Sequence, residues 1–358
     1  MAVFNYDIML DCGAPSLYNR LSKKEKSPVV MGATFKDRKY DDFSYTDDPE
    51  YHRYRDAYIE FLLINGKSIA HYTNLDVINN PRLTWKNQKY LERAGLNPIP
   101  VYHVGSGSTN WLERYVSEYE YIALGGLIPN KTADLKPILD NLFKNYILDK
   151  DGFPKVKVHG FACTSPELMW RYPWYSVDST TARKLAMYGH VYMPEVSDMR
   201  SVDTVTISSR RISQLKFKRG FINNRKIKTA TKKEQMEFRK KHAERVKEYA
   251  EKIGYTWEEL CSNYMRRMVF NHIYFSNLVH HEIPTWPWNY YTRESREGAT
   301  EQFNLYIAGC FSKTEEAWFW RELSGRPGTK RALKKRLHSF FYRNQVKYLI
   351  KLKEGEKE

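Results

Sequence analysis

Tyr6-Asp7-Ile8-Met9-Leu10-Asp11-Cys12-Gly13-Ala14 and Trp174-Tyr175-Ser176-Val177-Asp178-Ser179-Thr180 are the two stretches that decide the architecture. Each is a short apolar run that ends on an aspartate and then enters a turn-forming sequence. A strand bounded in this way presents its carboxylate at the catalytic rim of a barrel enzyme. Two such acids can divide nucleophile and general-base work at a sugar carbon. Asp178 and Asp11 are therefore the candidate catalytic residues.

Outward from these stretches, strand and helix signals alternate through residues 1–205. Strands are predicted at Tyr6–Leu10, Ser68–Tyr72, Ile99–His103, Tyr121–Leu124, Lys155–His159, Tyr175–Val177 and His190–Met193. Helices are predicted between them at Asp56–Ile64, Thr84–Ala94, Thr109–Tyr119, Ala133–Ile147 and Ser165–Trp170, from apolar residues at helical spacing. Gly95 reads as a helix stop and Thr164 as an N-cap. Such alternation argues for parallel strands. The expected fold is an α/β (β/α)8 TIM-like barrel over residues 1–205, with an open doubly wound sheet as the alternative. Residues 23–56, rich in Lys, Asp and Tyr, read as a surface excursion after the first strand.

The remaining residues, 206–358, differ in character. Helices are predicted at Lys232–Ile253, Thr256–His280 and Lys330–Leu352, giving a basic, mainly helical C-terminal domain. The chain of 358 residues carries a net charge of +16, and all of it lies beyond residue 204. Up to that point 25 basic residues balance 25 acidic ones; after it, 33 face 17. A neutral body joined to a basic half points to a polyanion as partner. Four scattered cysteines, Cys12, Cys163, Cys261 and Cys310, suit neither a disulfide framework nor a paired zinc motif and read as cytoplasmic thiols. No apolar run reaches membrane-spanning length, and the N-terminus lacks a signal peptide's pattern, so a cytoplasmic protein with no membrane partner is expected.

Several short motifs fall in a telling order. Asp11-Cys12-Gly13-Ala14 resembles the Asp-Ser-Gly-Gly/Ala motif of guanine transglycosylases that insert 7-deazaguanines. Ala123-Leu124-Gly125-Gly126-Leu127 resembles their Gly-Gly-Leu base-recognition turn, and His159-Gly160-Phe161-Ala162-Cys163-Thr164 their Met-Gly-Val-Gly-Thr-Pro segment. Ser176-Val177-Asp178-Ser179-Thr180 stands where that family carries its nucleophilic aspartate. The resemblance spans residues 5–185 and is nearest to the DNA-modifying branch of phages and bacteria. Two departures stand out. The zinc site of the tRNA enzymes is missing, since only Cys261 and Cys310 follow the nucleophile. Pro15 replaces a base-stacking aromatic, for which Tyr18 is the nearest substitute.

The resemblance implies a base exchange that retains the configuration of the sugar. Asp178 would attack C1′ of a guanosine nucleotide, and Asp11 would take the proton of the incoming base. Asp76 would receive the N1–H and 2-amino group of guanine, two donors for one carboxylate. His103 stands where the family has a base-reading glutamine, Gly125, Gly126 and Leu127 would offer backbone amides to the base, and His159 would lie near the sugar. No metal and no other cofactor is expected. The implied partners are double-stranded DNA, with tRNA as the alternative, and a free 7-deazaguanine base such as preQ0.

Phosphate contacts are expected from Arg171 and Arg183 beside the nucleophile and from the basic clusters Lys216, Lys218, Arg219, Arg225, Lys226 and Lys228. Lys330, Arg331, Lys334, Lys335 and Arg336 recur along one predicted helix. Trp286 and Trp288, next to Arg293, form an aromatic loop able to wedge into a duplex or stack on a base. The competing readings are a tRNA-guanine transglycosylase, a hydrolytic N-glycosylase and a barrel that binds nucleic acid without catalysis.

Overall fold

Eight strands run parallel in one sheet: β1 (Ile8–Leu10), β2 (His71–Tyr72), β3 (Val101–His103), β4 (Tyr121–Gly125), β5 (Lys157–Gly160), β6 (Ser176–Ser179), β10 (Asn304–Gly309) and β11 (His338–Phe341). The computed structural model describes residues 8–14, 17, 48–78, 80–105, 108–128, 130–163, 165–179, 181–194, 202–207, 215–217, 244–279, 304–309 and 338–341. Hydrogen-bonded neighbours follow the order β2-β1-β11-β10-β6-β5-β4-β3. The two ends of that order are also joined. Thr73, just after β2, bridges in parallel to Ile99, just before β3. The Asn74 amide donates to the Ile99 carbonyl (2.9 Å) and the Ile99 amide to that of Tyr72 (2.8 Å).

Helices separate successive strands of the sheet as parallel pairing requires. They are α1 (Pro49–Asn65), α2 (Pro81–Arg93), α3 (Asn110–Glu118), α4 (Thr132–Leu142) and α5 (Pro166–Arg171). α1 begins seven residues before the expected start at Asp56, inside the stretch read as an excursion. The reason is local. The Asp48 carboxylate caps the Glu50 amide (2.7 Å), and Pro49 at the first helical position has no amide to leave unsatisfied. α2 likewise starts at Pro81, capped by Asn80, whose side chain accepts from the Leu83 amide (2.9 Å).

One face of the parallel strands builds the sheet's interior. Met9, Ile99, Val101 and Ala123 form a buried cluster with Tyr121 and Phe161 packed against it. Strand alternation then puts Asp11, His103, Gly125 and Asp178 on the same face, two residues nearer the carboxyl ends. A second cluster, including Leu10, Tyr51, Tyr58, Leu62, Leu75 and Leu91, packs α1 and α2 onto the sheet's other side.

A second compact unit begins after Ser179. Here β7 (His190–Pro194), β8 (Val202–Ile207) and β9 (Leu215–Phe217) form an antiparallel sheet. The strand expected at His190–Met193 therefore exists but does not join the parallel sheet. Its helices are α6 (Thr181–Met187), a helical stretch at 244–252, α7 (Trp257–Ser262) and α8 (Tyr264–Val279). Buried Asn271 on α8 donates to the carbonyls of Ala182 (3.0 Å) and His190 (3.2 Å) and accepts from the Tyr192 amide (2.8 Å). Buried Arg267 donates to the carbonyls of Ala186 (2.8 Å) and Leu260 (2.6 Å), so one of the basic half's cations is structural.

The parallel sheet thus draws β10 and β11 from residues assigned by sequence to the basic helical region, and the break after Ser179 differs from the expected one at residue 205. β11 also replaces part of the helix expected at Lys330–Leu352. His338-Ser339-Phe340-Phe341 pairs on both flanks, with β1 and β10, and a strand covered that way needs no alternating pattern to mark it. Among the described residues no helix is long and apolar enough to cross a membrane.

Candidate active site

Asp11, Asp76, His103 and Asp178 come from four strands, each at or just past the carboxyl end. That rim is where parallel α/β sheets hold their ligands. Asp11 keeps part of its surface exposed, whereas Asp76 (9 % exposed), His103 (7 %) and Asp178 (5 %) are buried. Burial pushes the Asp11 carboxyl up from 3.8 to about 8, and the nearby charges of Asp76 and then Asp178 add to the effect. The amides of Gly13 and Cys12 oppose it. The charges of Asp76 and Asp178 thus both reach Asp11 across the rim, although β1 and β6 are far apart in sequence.

The loop that carries Asp76 is held by α2. Asn74 donates to the Thr84 carbonyl (2.8 Å), the Val77 amide donates to Thr84 Oγ1 (2.9 Å), and Asn87 donates to the Leu75 carbonyl (2.7 Å). Both oxygens of Asp76 have protein partners. Cys12 Sγ donates to Oδ1 (2.9 Å), and His103 Nε2 lies 2.7 Å from Oδ2. Cys12 is fixed in turn: its amide donates to Thr73 Oγ1 (3.2 Å) and its carbonyl accepts from the Tyr54 hydroxyl. Burial and the charges of Asp76 and Asp11 hold its thiol well above the usual range, so it stays a donor. Gly125, opposite His103 in the β3–β4 register, has no side chain for a physical reason. A Cβ there would lie 2.8 Å from His103 Cδ2.

Asp178 sits in a different corner, formed by β5 and β6. The Ala162 amide donates to its Oδ1. Ala162 adopts φ +52°, a left-handed conformation unfavourable for a residue with a Cβ, and this turn aims the amide at the carboxylate. His159 Nε2 lies 3.7 Å from the same oxygen. Its Nδ1 shares a hydrogen bond with Ser176 Oγ (2.6 Å), which also meets the Tyr121 hydroxyl (2.5 Å). A polar chain therefore runs Tyr121–Ser176–His159 beneath Asp178. Cys163 is buried alongside; burial, then the Asp178 charge, pushes its thiol up.

Of the residues singled out by sequence, the structure groups Asp11, Asp76, His103, Gly125, His159 and Asp178 at one end of one unit. Gly126 (φ +79°) and buried Leu127 form the turn that leaves β4. Arg171 is engaged elsewhere, in a two-pronged ion pair with Asp140 (2.9 and 2.7 Å). Arg183 lies on α6 in the second unit, and Lys216 lies in β9. Tyr18, Lys218, Arg219, Arg225, Lys226, Lys228, Trp286, Trp288, Arg293, Lys330, Arg331, Lys334, Lys335 and Arg336 fall outside the described residues. Sequence reasoning passed over Cys12, Ala162, Ser176 and Tyr121 as site residues. Cys12, Ala162 and Ser176 stood within the quoted motifs, whereas Tyr121 carried no signal beyond its strand. No metal-binding group of His, Cys, Asp or Glu occurs among the described residues.

No family model, curated protein or solved structure matches this chain.

Proposed function

We propose that the chain is a base-exchanging transglycosylase that replaces guanine in DNA with a 7-deazaguanine through a glycosyl-aspartate intermediate, on a (β/α)8 barrel interrupted after its sixth strand. The barrel reading is supported by the Thr73–Ile99 bridge and by strand neighbours that follow chain order, with β10 and β11 as the seventh and eighth. The activity reading rests above all on one observation: three carboxylates reach the carboxyl rim from separate strands, and the charges of Asp76 and Asp178 add to the burial that raises Asp11 to about 8. An acid that keeps its proton at neutral pH, on the same rim as a second carboxylate, is what acid–base work at a glycosidic bond requires.

In this reading Asp178 attacks C1′ of the nucleotide from the face opposite the base. The C1′–N9 bond breaks, and guanine leaves with a proton from Asp11, which is protonated at neutral pH. The incoming deazaguanine returns its N9 proton to Asp11. N9 then attacks C1′ and expels the Asp178 carboxylate. The Ala162 amide holds one oxygen of Asp178, leaving the other to react. Asp76 and His103 form the wall that meets the base. The choice of a 7-deazaguanine comes from the motif resemblance, and the choice of nucleic acid from the +16 charge.

Extruding a nucleotide from a duplex costs a few kcal/mol. Charge-assisted phosphate contacts contribute roughly 1.5–3 kcal/mol each, so a handful of the basic residues would offset it. The test is incubation with labelled guanine and either duplex DNA or tRNA, followed by mass spectrometry of the nucleosides after exchange against preQ0. Label entering DNA, with an Asp178-dependent covalent adduct, is the expected result. Label entering only tRNA would select the tRNA enzyme. Release of guanine without replacement would select a hydrolase. Absence of both exchange and adduct would sink the catalytic reading.

A further inference from the structure

We infer that His103, and not Asp76, is the side chain that touches the base on this wall, with Asp76 a positioning residue that fixes the His103 ring. The inference rests on the transglycosylase reading above. Its first support is the saturation of Asp76: Oδ1 takes the Cys12 thiol and Oδ2 faces His103 Nε2. A carboxylate already holding two protein donors has little reach left for two more from guanine. Its second support is the geometry of the ring. The missing Cβ of Gly125 seats the Cδ2–Nε2 edge against β4, where a Cβ would come within 2.8 and 3.3 Å of those atoms. Nδ1 is on the other edge. His103 is only 7 % exposed, yet its Nδ1 makes no hydrogen bond to any described residue. An unbonded ring nitrogen on a residue this buried, yet not itself sealed from outside, is open to a partner.

The partner's chemistry follows from the tautomer. Asp76 draws the proton of neutral imidazole to Nε2, which leaves a lone pair on Nδ1. That lone pair accepts from an N–H donor. The Watson–Crick edge of guanine carries two such donors, N1–H and the 2-amino group. Hypoxanthine lacks the second, and 2-aminopurine lacks the first. His103 therefore selects a purine by one of these donors, and the ring's orientation, set by Asp76, decides which.

Two substitutions, Asp76→Asn and His103→Phe, separate the roles. In D76N the side-chain amide offers one acceptor oxygen, enough to hold His103 Nε2–H, but it cannot receive two donors from a base. In H103F the ring keeps its shape but carries no nitrogen, so no acceptor stands where Nδ1 was. Exchange would be measured as kcat/KM for guanine, hypoxanthine and 2-aminopurine, following whichever preference for guanine is larger. We expect D76N to keep that preference within about threefold, and H103F to lose about tenfold of it, the worth of one hydrogen bond to a buried partner. General damage to the fold slows all bases together and leaves the ratio intact. If D76N loses the preference, or a folded H103F retains it, the assignment is overturned. If H103F does not fold, D76N alone decides. Exchange with an unaltered ratio would defeat only this inference. A wild-type protein that exchanges no base and forms no adduct would defeat the reading beneath it.

Discussion

The two catalytic candidates are the same residue type at equivalent ends of parallel strands, yet their corners of the molecule are built in opposite ways. Around Asp11 the protein supplies burial and like charge, from Asp76 and Asp178, with the amides of Gly13 and Cys12 in opposition. Around Asp178 it supplies a donor, the Ala162 amide, and a histidine anchored from below by Ser176 and Tyr121. The first corner favours the protonated form, and the second holds a carboxylate in a fixed orientation. In the proposed mechanism, environment and not residue identity would divide acid–base work from nucleophilic work.

Removing the nucleophile tests this division most severely. Asp178→Ala should abolish the covalent adduct and lower exchange by more than about 10⁴-fold, because the carboxylate proposed to bond to C1′ is gone. Exchange within tenfold of wild type would show that the β5–β6 corner is not where the sugar is attacked. Asp11→Asn should lower exchange by roughly 10²- to 10⁴-fold, the usual worth of a general acid–base group, while an adduct still accumulates with an activated leaving base. Equal loss of both signals would erase the difference between the corners.

Much of the first corner was legible in the sequence because its elements are local. An apolar run, an aspartate and a turn define β1 and Asp11, and the same grammar defines β6 and Asp178. The β5 motif also pointed to the turn that carries Ala162. The conformation of Ala162 was not legible, since a left-handed φ at alanine goes against that residue's own preference and is imposed by its surroundings. Ser176 was hidden because it reads as an ordinary strand residue; its importance arises only where β5, β4 and β6 lie side by side. β10 and β11 were hidden for a different reason. They pair with strands more than a hundred residues away, and basic residues around β11 imitate one face of a helix. Arg171 shows the converse error. A cation near Asp178 in sequence proved to be bound to Asp140 on α4.

A subtler test uses pH. The Asp11 carboxyl is raised in the folded protein, so the folded state holds its proton over a range in which the unfolded chain has lost it. The stabilising contribution of that proton is complete below about pH 4 and disappears as pH rises through about 8. Wild-type stability should therefore fall between pH 5 and pH 9, and Asp11→Asn, which cannot ionise, should show a shallower decline. A partly exposed group realises only part of the limit set by its shift, so the expected gap at pH 9 is about 2–3 kcal/mol in favour of the variant. Thermal or urea melts at both pH values measure it. Parallel pH profiles for the two proteins would mean that the charges at this rim do not oppose one another.

The smallest expected effect concerns Ala162. A left-handed conformation costs an L-residue roughly 1–2 kcal/mol, whereas glycine adopts it freely. Glycine also has more conformational freedom to lose on folding, worth about 0.5–1 kcal/mol. The balance favours Ala162→Gly by about 0.5–1 kcal/mol at most. The amide that holds Asp178 Oδ1 remains, so exchange should change by less than about threefold. Ala162→Pro removes that amide and forbids the positive φ, so it should reduce activity far more than stability of the sheet alone would explain. The contrast isolates what the turn does. If glycine lowered exchange as deeply as proline, the Cβ rather than the amide would be the part that matters, and the β5–β6 corner would have to be described as packing around the nucleophile instead of a donor aimed at it.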